Sequence, residues 1–223
     1  MVKPDLTTEF LIQSAAEFCK IESEYENFDL YGTTDGKAIG TFIEHKFQKF
    51  LEQRYRYVKG SSAKGIDLPG NKIQTDIKVT SIRQPQSSSS FKDAKQKIFG
   101  LGYNLLEFVY DKTDHPDRQY ASLDFLSCSY LDRDRTGDYT TTFRLRQMIE
   151  DGANHEDIVA YLNDRRIPAD HITLGDIASQ LLERMPKQGY LTISNALQWR
   201  LQYSRIVNLK NPVEGIVKII NKV

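Results

Sequence analysis

The sequence predicts an α/β (α+β) protein with helices first, strands in the middle and a helical second half. Three patterns carry this. Apolar residues recur at helical spacing over residues 8–26 and again over 37–57. Residues 73–80 alternate like a half-buried strand, and residues 103–111 form a near-continuous apolar run, the mark of a strand buried on both faces. From residue 140 onward the spacing is helical again. The chain thus divides into residues 1–139, holding the strands and two leading helices, and 140–223, a helical subdomain. At 223 residues it is long enough for one sizeable core, with or without an appendage.

In the first helix the repeating set is Phe10, Leu11, Ser14, Ala15 and Phe18. Its acidic end runs into 31–36, a loop by composition. The second helix buries Ile39, Phe42, Ile43, Phe47, Phe50 and Leu51, with Glu44 beside the stripe and Lys46, Lys49, Glu52 and Arg56 solvated. Gly60-Ser61-Ser62 breaks the chain. Gly70-Asn71 is a two-residue hairpin signal. With that turn, Pro69 faces Lys72, Leu68 faces Ile73 and Asp67 faces Gln74. Gln84-Pro85-Gln86 and the run Ser87, Ser88, Ser89, Ser90 read as a flexible loop. A short helix is expected over 91–99, a turn at 114–117 and a strand over 121–131. Glu107 interrupts its apolar strand; it is expected at the sheet edge, with a place near the site as the alternative. Four further helices are expected over 142–151, 155–165, 174–185 and 194–207. Thr173 and Asp176 resemble a cap for the third of these. The last two could form a helix-turn-helix, with Ser194, Asn195, Gln198 and Arg200 on the second helix; such pairs are common as mere packing units. Trp199 fits a helix core.

Composition excludes several classes. No long apolar run or charged-then-apolar leader is present, so neither a membrane span nor a secretion signal is expected. Cys19 and Cys128, two and far apart, suit free thiols in a reducing cytoplasm. His45, His115, His155 and His171 share no metal-ligand spacing, and the absence of a Gly-rich phosphate loop argues against a nucleotide cofactor. Formal net charge is zero, but unevenly spread. Residues 1–44 carry three Lys/Arg against nine Asp/Glu, and residues 45–97 twelve against four. The basic stretch surrounds the hairpin, as a site facing phosphates requires. On charge alone an ordinary solvated face is the reading.

The hairpin carries the chemistry. Alternation points Ile73, Thr75, Ile77 and Val79 one way and Gln74, Asp76, Lys78 and Thr80 the other. The turn register adds Asp67 to the second face, so two carboxylates and an ammonium meet. Phosphodiester hydrolysis needs an activated water and stabilisation of charge on the phosphate. Hard oxygen ligands holding Mg²⁺ supply much of this. A lysine two residues beyond a ligand reaches the same phosphate and water.

Asp67, then Asp76-Ile77-Lys78 after a turn, resembles the PD-(D/E)xK nuclease motif. Gly40-Thr41-Phe42-Ile43-Glu44 resembles the first core helix of that superfamily. Ile66, not proline, precedes Asp67; since proline is not a ligand, the literal motif is weakened but not the geometry. The resemblance covers residues 37–111 and implies a restriction-endonuclease-like core, a central mixed sheet flanked by helices. It implies Asp67 and Asp76 as magnesium ligands, Glu44 as an auxiliary ligand or base, and Lys78 as the catalytic lysine. Most like it is a type II restriction endonuclease, cutting double-stranded DNA as a homodimer. Arg83, Ser87 to Ser90 and Lys92 would then touch DNA phosphates. A repair or structure-selective nuclease with the same core, and a non-catalytic helix-turn-helix DNA-binding protein, are the alternatives.

Overall fold

The computed structural model describes residues 3–60, 65–194 and 199–223. Helix α1 (Thr8–Ser23) starts where the Thr7 hydroxyl accepts from Phe10 N at 3.2 Å. Helix α2 (Gly36–Arg54) starts where Asp35 accepts from Lys37 N at 2.9 Å. Each satisfies a first-turn amide that the helix itself leaves unpaired. Leu11, Ala15 and Phe18 of α1 and Ile39, Ile43, Phe47 and Leu51 of α2 are buried, as the apolar stripes predict. Phe42 and Phe50 are only half-buried at the margin.

The central sheet has four strands: β1 (Thr75–Ser81), β3 (Asn104–His115), β4 (Tyr120–Leu131) and β7 (Ile216–Asn221), in the order β1-β3-β4-β7. β1 and β3 are parallel, and the other pairs antiparallel, so the sheet is mixed. One face carries Ile77, Leu106, Phe108 and Cys128 against α1 and α2. The other carries Leu105, Val109 and Leu131 against a second, three-stranded sheet. This is the expected core of a mixed sheet flanked by helices. It adds a layer that the sequence did not reveal.

That second sheet is β2 (Gln86–Ser89), β6 (Trp199–Gln202) and β5 (Thr192–Ser194), ordered β2-β6-β5 and antiparallel throughout. It overturns two expectations. The serine run is not a loop: Ser87 and Ser89 turn inward, where their hydroxyls meet the Tyr203 and Tyr103 hydroxyls at 2.5 and 2.6 Å. Nor is the expected helix over 194–207 found among the described residues of that stretch. Trp199, Leu201 and Tyr203 are buried while Arg200 is exposed, a period of two that only a strand gives. Only α7 (Ser204–Val207) is helical there. Trp199 is a buried strand residue whose indole N–H donates to Gln96 Oε1 at 3.0 Å. The helix-turn-helix is therefore absent among the described residues; Asn195 and Gln198, assigned to it, lie outside them.

The third cluster joins α3 (Gln96–Phe99) to α4 (Tyr139–Glu150), α5 (His155–Asp164) and α6 (His171–Glu183) through Ile98, Leu145, Ile158, Leu162, Ile177 and Leu181. The α6 cap is Asp170, accepting from Thr173 N at 2.7 Å, rather than a Thr173–Asp176 pair, so the helix begins earlier than its apolar spacing suggests. Both cysteines are free and buried. Among the described residues no helix is long and apolar enough to cross a membrane.

Candidate active site at the outer edge of the mixed sheet

The site forms where a longer turn than expected delivers Asp67 to the first strand. Ile73 N and Gln74 N both donate to Gly70 O at 2.8 Å, winding the turn helically, and Gln74 sits at φ +36°. β1 therefore starts at Thr75, and Leu68 pairs with Thr75 through two 3.0 Å backbone bonds instead of with Ile73. The register differs from the expected one by two residues. Because side chains alternate with period two, an even slip leaves Asp67, Asp76 and Lys78 on one face; an odd one would have separated them. Ile66, expected beside Leu68, packs instead against the second-sheet cluster. Asp67 is now level with Asp76, and its Oδ2 accepts from Ile77 N at 2.8 Å.

β1 is the outermost strand of its sheet, so this cluster lies on an edge that a substrate can reach. Glu44 arrives from α2, which packs tightly on β1 at Gly40. A Cβ there would stand 3.1 Å from Val79 O. Glu44, Asp67, Asp76 and Lys78 line one small cavity of about 190 Å³ with Ser88, Ser89 and Ser90. All four residues of the predicted cluster are thus brought together. Of the predicted DNA contacts, Arg83, Ser88, Ser90 and Lys92 are exposed. Ser87 and Ser89 are committed to tyrosines.

The electrostatics are those of crowded carboxylates. Burial pushes Glu44 up to about 8, reinforced by Asp67 and Asp76 and opposed by Lys78. Burial likewise raises Asp76 to about 7; the Lys78 ammonium opposes this and Asp67 adds to it. Asp76 is 3% exposed and its Oδ2 is 2.6 Å from Lys78 Nζ. Burial alone would lower Lys78, but Asp76 outweighs it, and the net shift is upward. Lys78 is an ammonium here, suited to neutralising charge rather than to accepting a proton.

Three carboxyl groups crowd one ammonium in a partly dry space, which holds two of them protonated towards neutral pH; a divalent cation would favour their charged forms. The donors are hard oxygens, the chemistry magnesium takes, and magnesium keeps much of its own water. Among the described residues no three His, Cys, Asp or Glu side chains enclose an ion by themselves.

Beside this cavity lies a larger groove of about 780 Å³, bounded by the start of α2, the end of β1, β2 and β6. Lys37, Lys78, Arg83 and Arg200 bring positive charge to it, and Glu44 and Ser88 line both spaces. Lys37 and Arg200 were not expected there. The signal for Arg200 was present in the alternation Trp199-Arg200-Leu201-Gln202-Tyr203, which competes with helical spacing in the same stretch. Glu107 is not at a sheet edge. It is fully buried on the central strand β3, paired in register with Lys78 of β1 and Ser129 of β4.

The mixed sheet, its two leading helices and its second sheet define a restriction-endonuclease-like core. The family model described as "Type II restriction enzyme NspV" matches residues 5–218. The type II restriction enzyme NspV of Nostoc sp. (strain ATCC 29411 / PCC 7524) is 49% identical over 214 residues, 96% of each chain. The chain belongs to the NspV family of type II restriction enzymes. No solved structure matches it.

Proposed function

We propose that this chain hydrolyses double-stranded DNA at specific sites, using magnesium and the Glu44, Asp67, Asp76 and Lys78 cluster at the edge of β1. Membership of a type II restriction enzyme family makes it a site-specific deoxyribonuclease. The observation that carries the residue assignment is the convergence of these four side chains in one cavity beside a cationic groove.

Asp67 and Asp76 would hold the metal, with Glu44 as auxiliary ligand or base. When bound, the ion polarises the phosphate and lowers the pKa of a bound water. Lys78, charged and anchored on the metal side by Asp76, lies two residues along the same face and neutralises charge developing on the scissile phosphate. Glu44, with a carboxyl that titrates near neutrality, can take a proton from the attacking water or hold one. Arg83 and Lys92, with the exposed hydroxyls of Ser88 and Ser90, contact the sugar-phosphate backbone and set register. The enzyme acts in the cytoplasm as a homodimer, each subunit cutting one strand of a two-fold symmetric site.

The test is the nature of the products. Discrete fragments that ligate without prior phosphorylation are expected from genomic DNA in magnesium, with a sedimentation mass of two chains. A smear, or cutting confined to nicks, junctions or ends, would point to a repair nuclease instead.

A further inference from the structure

Every other residue of the three-stranded sheet points outward, and the outward set has an unusual composition. Gln86, Gln202 and Thr192 form one row across the strands, and Ser88, Arg200 and Ser194 form the next. The residues that point the other way are tied to the core. Leu201, Ile193 and Trp199 are buried, and Ser87 and Ser89 bond to tyrosines. The outer face therefore holds five neutral hydrogen-bonding side chains and one guanidinium, with no carboxylate. Among the described residues none of the six side chains makes a hydrogen bond or ion pair. An ordinary solvated sheet face mixes charges of both signs; this one is free of anions and rich in paired donors and acceptors.

We propose that this face, apart from Ser88 at its phosphate-contacting margin, reads base edges in the major groove and fixes the recognition sequence. The inference rests on the endonuclease reading above. Three strands about 4.8 Å apart make a face about 10 Å wide, which fits a major groove about 12 Å wide. The two rows are about 6.8 Å apart along the strands, or about two base-pair steps. The chemistry matches the same surface. Arginine takes guanine O6 and N7 together, glutamine takes adenine N6 and N7, and serine or threonine accepts either role. Continuity with the reaction site comes through Ser88. It lines the cavity holding Asp76 and Lys78 and also the cationic groove that holds Gln86 and Arg200. A duplex whose phosphate enters the cavity thus brings adjacent bases over β2 and β6.

The experiment begins by sequencing fragment ends made by the wild-type chain in magnesium, which gives the cognate site. Cleavage rates are then measured on the cognate duplex and on duplexes altered at one base pair each, for wild type, Arg200→Ala, Arg200→Lys and Gln202→Ala. Thermal melting checks that each variant is folded. Arg200→Ala and Gln202→Ala are expected to slow cognate cleavage by roughly 5- to 150-fold. Each should lose discrimination at one base pair and keep it at the others, and Arg200→Lys should not restore it. Variants slowed equally on every duplex, or unchanged, would overturn the assignment while discrete wild-type cutting upheld the endonuclease. Full rescue by Arg200→Lys would make Arg200 a phosphate contact and overturn it too. A wild-type chain that cuts no duplex would overturn the endonuclease reading itself, and this inference with it.

Discussion

Glu107 is a carboxylate that the fold holds at a cost, and replacing it by glutamine should show how much. It sits at 0% exposure on the second strand of the mixed sheet, and neither carboxylate oxygen has a hydrogen-bond partner among the described residues. The cation that acts on it is Lys218, whose ammonium already donates to Ser127 Oγ at 2.9 Å and to the carbonyls of Ile206 and Val207 at 2.9 and 3.2 Å. Burial raises the Glu107 carboxyl to about 8, opposed by Lys218 and by the nearby Ser129 hydroxyl, which falls short of a hydrogen bond. Since the folded pKa is raised, the folded chain holds one more proton than the unfolded chain between about pH 4.5 and pH 8. Stability is then highest below the unfolded value, falls through that window and levels off above it. At pH 7 the loss relative to low pH is on the order of 3 kcal/mol, taking about 1.4 kcal/mol per pH unit. Glu107→Gln removes the titration and keeps the shape. Urea titrations at pH 5, 6, 7 and 8 should show the wild type losing about 3–4 kcal/mol more than the variant across that range. Equal pH slopes for the two proteins would mean that the carboxylate is solvated or paired, and would refute the reasoning.

Other outcomes follow from the same structure. Millimolar magnesium should raise the melting temperature of the wild type, through preferential binding to the folded state, and do so less for Asp67→Ala; equal shifts would remove Asp67 from the metal site. Gly40→Val should force α2 away from Val79, cost about 1–3 kcal/mol in urea, and slow cleavage at least about tenfold by withdrawing Glu44. Asp138 caps α4 at Thr141 N (2.9 Å) and bonds Ile193 N (2.8 Å) in the β5 strand, so Asp138→Ala should cost about 2–4 kcal/mol by urea denaturation.

The sequence made the functional edge more legible than the surrounding sheet. Ile39, Ile43, Phe47 and Leu51 mark α2 by spacing alone, and alternation along β1 survives a two-residue register slip because the period is two. What escaped reading depends on distant partners. Four serines have no apolar alternation; Ser87 and Ser89 become strand residues because Tyr203 and Tyr103 wait across the layer. Trp199 and Leu201 fit a helix or a strand equally well on spacing, and pairing with β2 decides. β7, with Ile216 and Ile220, closes the central sheet beside β4, a place set by strand pairing and not by its own spacing. Glu107 looked like an edge residue since buried carboxylates are rare.

The most direct test of the account is cleavage of plasmid and genomic DNA by the purified chain in magnesium and in EDTA, alongside Asp76→Ala and Lys78→Ala. Discrete fragments are expected in magnesium alone, with each substitution lowering the rate by about 10²- to 10⁴-fold while the circular dichroism spectrum stays unchanged. Cleavage that survives both substitutions would contradict the placement of the reaction on β1.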